Sequence, residues 1–297
     1  MRTLVVGPVD WGFSGRHVRL PEDAVLRLAR ADAARRLRAR FALRVRSGGL
    51  LKRLVRRYER VIAPSTAALE LFSEARALGV QTVLVEDIPD MRGLHRDLDA
   101  AAARHPSAAL LRRFRAPSEL VARQEQERLL ADRRLVFSAL GLARDPGAEA
   151  FRANIVQARA RASRGPGAVL LAGPPLARAG VIEASRACQL AGLRLVARGC
   201  ETRDAPVQGA TAQELALHGI AAVVAPAWAE SWPGLTVEAA RRGIPVVATA
   251  QGAGLAPYEA VACGDVDALA AALERVCRAP AGSDPRRPGL TPRRDRG

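Results

Sequence analysis

Glu230 and Glu238, with seven residues between them, are the side chains of this 297-residue sequence whose types and spacing most directly suggest chemistry. Each carboxylate can accept hydrogen bonds from two hydroxyls, so a pair spaced this way suits a polyhydroxy ligand such as a sugar or a ribose. Gly234 and Leu235 lie between them at the expected opening of a helix, where unpaired backbone N–H groups can hold hydroxyls or anions. The flanking residues supply the elements that would position both glutamates. Ala221-Ala222-Val223-Val224-Ala225-Pro226 reads as a strand, 235–242 as a helix and 245–249 as a second strand. Gly243 fits the helix end and Pro245 the start of the next strand. Glu230 then sits on the loop leaving the first strand, and Glu238 about one turn into the helix.

Other candidates are weaker. Glu86-Asp87 ends an expected strand over 81–86, where Asp87 either deprotonates an acceptor hydroxyl or caps a turn before Pro89. Gly12-Phe13-Ser14-Gly15 follows the first strand, and Gly15 is either part of a loop approaching phosphates or part of an ordinary turn. His95 either lines the same cleft or is a structural histidine. The cysteines Cys188, Cys200, Cys263 and Cys277 have neither metal-ligand spacing nor a disulfide pattern, and read as small buried residues.

The elements form two similar halves. Strands are expected at 3–8, 59–63, 81–86 and 134–138, then at 168–172, 193–197, 221–225 and 245–249, with helices such as 65–78, 180–191 and 235–242 between them. The strands are short continuous apolar runs, as parallel strands covered on both faces should be. Two α/β domains follow, each a Rossmann-like doubly wound sheet, facing a cleft at the carboxyl ends of their strands. The expected division is 1–148, 149–278 and a disordered arginine- and proline-rich tail over 279–297. A helix-like piece lies at the join near 140–165.

The segment 221–249 resembles the paired-glutamate region of the retaining family 4 glycosyltransferases, which have the two-domain GT-B fold. The likeness extends to Glu230-Ser231-Trp232-Pro233-Gly234-Leu235, to Glu238-Ala239-Ala240 and to Gly243-Ile244-Pro245-Val246-Val247-Ala248-Thr249. It continues more weakly through Gly264-Asp265 and the helix 266–278, and through the strand 168–172 with Gly180-Val181-Ile182-Glu183-Ala184. The resemblance implies that Glu230 contacts the donor sugar and Glu238 the donor ribose. Gly234, Leu235, Gly15 and Thr249 would complete the donor site, and Asp87 would serve the acceptor. It also implies sugar transfer with retention, and acceptors that are sugars or lipid-linked, as in bacterial envelope glycans. No metal ligand set and no cofactor are expected, the nucleotide sugar being the donor substrate.

The chain departs from that pattern where the family grips the diphosphate with an arginine and a lysine. Pro174 follows Gly173 and Ala179 precedes Gly180, leaving Arg178 one residue away to supply part of the charge, with Arg198 as another substitute or a solvated surface residue. A degenerate relative that binds without turnover is therefore the alternative function.

The formal charge of +16 is almost all arginine, since Lys52 is the only lysine. It would attract nucleotide phosphates, anionic lipid or nucleic acid. Aromatic residues make up only 4%, too few for the stacking platforms of a nucleic-acid surface. The basic stretch 27–60 interleaves arginine with apolar residues, and is either a solvated face or a peripheral contact with anionic membrane. No apolar run approaches the ~18 residues of a membrane span. Gly7 and Pro8 interrupt the start too early for a signal peptide, so a cytoplasmic location is the expectation.

Overall fold

The computed structural model describes residues 2–6, 13–18, 33–88, 90–104, 115–151, 167–198, 205, 207–229 and 234–278, and for 33–41 the backbone alone. The expected joining piece between 152 and 166 and the tail 279–297 lie outside these residues.

The first half is a six-stranded sheet in the order β2-β1-β3-β4-β5-β6. Its strands are β1 (Thr3–Val6), β2 (Arg16–Val18), β3 (Arg60–Pro64), β4 (Gln81–Glu86), β5 (Arg133–Val136) and β6 (Glu149–Ala150). The second sheet runs β12-β11-β10-β7-β8-β9. It comprises β7 (Ala168–Leu171), β8 (Leu195–Ala197), β9 (Gln208–Gly209), β10 (Ile220–Ala225), β11 (Val246–Ala248) and β12 (Glu259–Ala260). Every pairing is parallel. Each sheet is therefore doubly wound, with strand order reversing between β1 and β3 in one and between β7 and β10 in the other. Glu149 and Ala150 pair with the first sheet, although the expected boundary stands at 148.

Alternate residues of one strand serve opposite cores, which is why the apolar runs are unbroken. Leu4, Val61 and Leu84 pack with Leu71, Phe72 and Ala75 of helix α2 (Leu69–Ala77), while Val5, Ile62 and Val83 pack with Phe137 and Phe151. In the second sheet Val169, Leu171, Ala222 and Val224 meet α6 (Val181–Leu190) and α10 (Val266–Arg278). Ala168, Leu170, Val223 and Ala225 face Ala239 of α8 (Gly234–Arg241).

The remaining helices are α1 (Ala33–Leu51), α3 (Met91–Arg104), α4 (Ser118–Leu130), α5 (Ala139–Arg144), α7 (Ala212–Leu215) and α9 (Ala250–Ala253). No described helix is long and apolar enough to cross a membrane. The basic stretch does not behave as one solvated face. Arg46, Lys52 and Arg53 are exposed, but Arg44 of α1 is 2% exposed.

The two sheets meet through their carboxyl edges. The Ala139 N–H, just past β5, donates to the Gly254 carbonyl at 3.1 Å, and Arg104 at the end of α3 donates to the Gly264 carbonyl at 3.1 Å. Leu94, Leu98 and Ala101 of α3 form one buried cluster with Ala177, Trp228 and Ala229 of the second half. These contacts put the β7–β10 switch point, where ligands bind in doubly wound sheets, opposite the first half.

Candidate functional site at the carboxyl edges

The second sheet's crevice is bounded by the segment after β7 and the segment after β10. The two are in direct contact. Gly180 has φ +78°, and a Cβ there would stand 2.1 Å from the Pro226 carbonyl oxygen, so only glycine permits this approach. The N–H groups of Trp228 and Ala229 donate to the Arg178 carbonyl at 3.0 and 3.4 Å. Thr249, at the end of β11, donates its hydroxyl to the Ala227 carbonyl at 2.7 Å. Chain 226–229, which leads directly to Glu230, is thus held from both neighbouring strand ends.

Of the sequence candidates, Glu230 lies outside the described residues. Gly234 and Leu235 do open α8, at the carboxyl end of β10. Glu238 is half-exposed and paired with Arg242 at 2.7 Å. Arg242 also donates to the Ala216 carbonyl before β10, so the pair leans toward the amino edge of the sheet. Such an exposed i,i+4 pair is weak, and leaves Glu238 able to turn back along its helix. Thr249 belongs to the crevice by its backbone bond. Loss of hydration pulls the pKa of Arg178 below its ordinary value; its guanidinium is enclosed although the residue keeps some open surface. Arg198, directly after β8, is exposed at the carboxyl edge beside β7.

Two candidates of the first half stand elsewhere. Gly15 precedes β2 and packs against the start of β1, where a Cβ would meet the Thr3 carbonyl oxygen at 2.6 Å. That is the amino edge of the sheet, so Gly15 serves a close backbone approach and does not face the crevice. Asp87 is held bidentately by Arg44, at 2.9 Å to Oδ1 and 2.5 Å to Oδ2, with both side chains almost fully buried. Arg44 also donates to the Ser65 carbonyl at 3.0 Å, which ties α1 to the ends of β3 and β4. Glu86 is likewise bound by Arg128, at 2.8 and 2.6 Å. Burial opposes the charge of Arg128, yet Glu86 and Asp90 raise its pKa above the ordinary value. His95 accepts from the Ala116 N–H at 3.0 Å, a structural role, and burial followed by the nearby Arg115 lowers its pKa.

Sequence reasoning missed the groups that fill the crevices from within. At the β1–β3 switch point, Glu127 of α4 is fully buried and accepts from the N–H groups of Thr66 at 2.7 Å and of Ala68 and Leu69 at 3.1 Å. It occupies the amino terminus of α2 as a bound anion would, with Thr66 in the left-handed region at φ 71°. Burial nevertheless pushes its pKa up to about 7. In the second half, Glu183 of α6 accepts from the Trp228 indole at 2.8 Å. The Gly264-Asp265 pair also has a local explanation. A Cβ on Gly264 would lie 2.8 Å from the Trp228 ring, and Asp265 caps α10 through the Ala268 N–H at 2.9 Å. In the two Asp-x-Asp spacings of the sequence, Asp97-Leu98-Asp99 and Asp265-Val266-Asp267, three of the four carboxylates likewise have ordinary partners. Asp97 is bound by Arg144 at 2.8 Å, Asp99 by Arg115, and Asp265 is the helix cap.

No family model matches the sequence, and no curated protein does. Solved structures with a related chain course include UGT89C1 of Arabidopsis thaliana in complex with UDP-L-rhamnose. It has a TM-score of 0.45 and 11% identity, covering 93% of this chain and 90% of that one. An α,α-trehalose-phosphate synthase (UDP-forming) from Burkholderia xenovorans, in complex with glucose-6-phosphate, has a TM-score of 0.46 and 11% identity over 88% of this chain and 75% of its own. A Listeria monocytogenes protein described as a UDP-N-acetylglucosamine 2-epimerase has a TM-score of 0.44 and 12% identity over 94% of this chain and 91% of its own. At this level of likeness no residue's role is carried across from any of them.

Proposed function

We propose that the chain binds a nucleotide-sugar donor at the carboxyl edge of its second sheet and transfers the sugar to a hydroxyl acceptor presented by the first half. The observation that carries this is topological. The β7–β10 switch point faces the other sheet, and the Glu230–Glu238 segment leaves β10 at that point. Parallel sheets bind ligands where strand order reverses, because neighbouring loops there diverge and helix amino termini converge. In this reading Glu230 contacts the sugar, Glu238 turns from Arg242 to hold the ribose, and the amino terminus of α8 at Gly234 and Leu235 receives the donor's polar groups. Arg198, exposed at the carboxyl edge, and Arg178, whose carbonyl holds Trp228 and Ala229, are the cations assigned to a diphosphate in this reading. Retention of configuration is what the sequence resemblance adds.

The acceptor side is 1–148 and the donor side 149–278 in this reading, apart from the strand Glu149–Ala150, which completes the first sheet. Asp87 is not retained as the acceptor's base, because Arg44 occupies both of its oxygens. The exposed Leu50 beside Arg46, Lys52 and Arg53 fits peripheral contact with anionic lipid. Salt-sensitive cosedimentation with anionic vesicles tests that contact, and its absence at low salt removes it.

The test of the main proposal is incubation with a panel of UDP- and GDP-sugars and simple hydroxyl acceptors, followed by mass spectrometry for glycoside and free nucleoside diphosphate. Transfer abolished by Glu230→Ala supports the reading. Turnover unchanged in that variant removes Glu230 from the site.

A further inference from the structure

The pair formed by Glu183 and Trp228 is buried, joins residues 45 apart in sequence, and is not accounted for by the donor contacts proposed above. Glu183 is 2% exposed and Trp228 7% exposed. Trp228 lies two residues before Glu230, in the short chain that links β10 to the donor segment. Its ring packs on Gly264 and joins Leu94, Leu98 and Ala101 of α3 in the first half. One side chain therefore touches the donor loop, the α10 entry and the opposite sheet's helix.

The other hydrogen bonds to chain 226–229 hold its backbone and not the Trp228 ring. Its backbone is tied by the Arg178 carbonyl and the Thr249 hydroxyl, and Cys263 donates to the Ala227 carbonyl at 3.6 Å. All of these act on the backbone. The indole–carboxylate hydrogen bond, together with the packing of the ring on Gly264 and α3, sets the rotation of the Trp228 side chain, and with it the relation of this loop to α6 and α3. A buried indole N–H left without an acceptor loses its hydrogen bond with no water to replace it, so removal of the carboxylate favours another ring orientation.

We infer that Glu183 is a positioning residue of the donor site, acting through the Trp228 indole to set the chain 226–229 that precedes Glu230 in sequence. The inference rests on the proposed function for its catalytic consequence. Its structural half, that the hydrogen bond orders the loop, does not. Misplacement of a reacting group by about 1 Å costs on the order of 100-fold in rate. Loss of the bond is therefore expected to lower kcat by about 10- to 100-fold while KM for the donor changes little.

The experiment compares wild type with Trp228→Phe, Glu183→Ala and Glu183→Gln by steady-state transfer kinetics and by amide hydrogen exchange over 226–238. Trp228→Phe keeps an aromatic ring and removes the N–H, which guards against a folding defect from Glu183→Ala. Glu183→Gln keeps an acceptor oxygen. The expected result is faster exchange at Trp228-containing and following peptides in Trp228→Phe and Glu183→Ala, the stated fall in kcat, and near-wild-type behaviour in Glu183→Gln. Unchanged exchange in the first two variants overturns the inference. So does a rise in KM with kcat unchanged, or a Glu183→Gln variant as impaired as Glu183→Ala. If wild type transfers no sugar from any donor, the proposed function fails, and the exchange measurement alone decides whether Glu183 orders the loop.

Discussion

The Arg44–Asp87 pair separates a structural carboxylate from a catalytic one, and its disruption has a calculable size. The side chains are 2% and 3% exposed, and two charged hydrogen bonds join them, with a third from Arg44 to the Ser65 carbonyl. Replacing Arg44 by Met leaves a carboxylate buried without its counter-ion, and replacing Asp87 by Ala does the same to the guanidinium. Removal of one member of a buried pair costs roughly 3–5 kcal/mol, mostly as uncompensated charge. With a urea slope of about 1–3 kcal/mol per molar, the midpoint falls by roughly 1 to 5 M, so either variant is at the margin of folding. The double variant Arg44→Met/Asp87→Ala buries no unpaired charge and should lose less than the sum of the two, by at least about 2 kcal/mol of coupling. Urea unfolding followed by circular dichroism measures all four corners of the cycle. Additive losses, or an Asp87→Asn variant that folds with wild-type stability and loses sugar transfer, would refute the assignment of Asp87 to structure.

Glu127 makes a second prediction through pH. Its pKa is about 7 in the fold against an ordinary 4.5, so the folded state holds the proton more tightly. The stability linked to it is complete below about pH 4.5 and is lost as pH rises through 7, amounting to roughly 3 kcal/mol. Glu127→Gln removes this term, so the difference in unfolding free energy, wild type minus variant, should fall steadily from pH 5 to pH 8. A difference independent of pH, or one that grows with pH, contradicts it. Gly180→Ala forces a left-handed backbone and a Cβ onto the Pro226 carbonyl, and should cost about 2–4 kcal/mol in urea unfolding. A loss below about 0.5 kcal/mol would mean that the two crevice segments separate easily.

The core strands were legible because parallel strands buried on both faces must be continuously apolar. Gln81–Glu86 and the helix Val266–Arg278 occur with the bounds expected from sequence. The edge strands β2, β6, β9 and β12 were not. They are two or three residues long, as in Gln208–Gly209 and Glu259–Ala260, and carry no apolar run. The α8 opening at Gly234 was readable from the glycine stop and proline start that follow it. Arg44 was not, because nothing inside a run of arginines marks the one that turns inward. Glu127 and Glu183 stayed hidden for a related reason. Their acceptor roles are set by partners 45 to 61 residues away, across the sheet. Gly15 stayed open between a phosphate loop and an ordinary turn because a glycine after a strand can serve either sheet edge, and only the β1–β2 register puts it at the amino edge.

Calorimetric titration of the protein with UDP and GDP, repeated on Glu238→Ala and on Arg198→Ala, tests the donor site at the carboxyl edge of the second sheet most directly. The account predicts saturable binding of at least one nucleotide by wild type, weakened in both variants, with the Arg198→Ala loss shrinking as salt is added. Absence of binding by wild type, or binding that neither substitution affects, would contradict it.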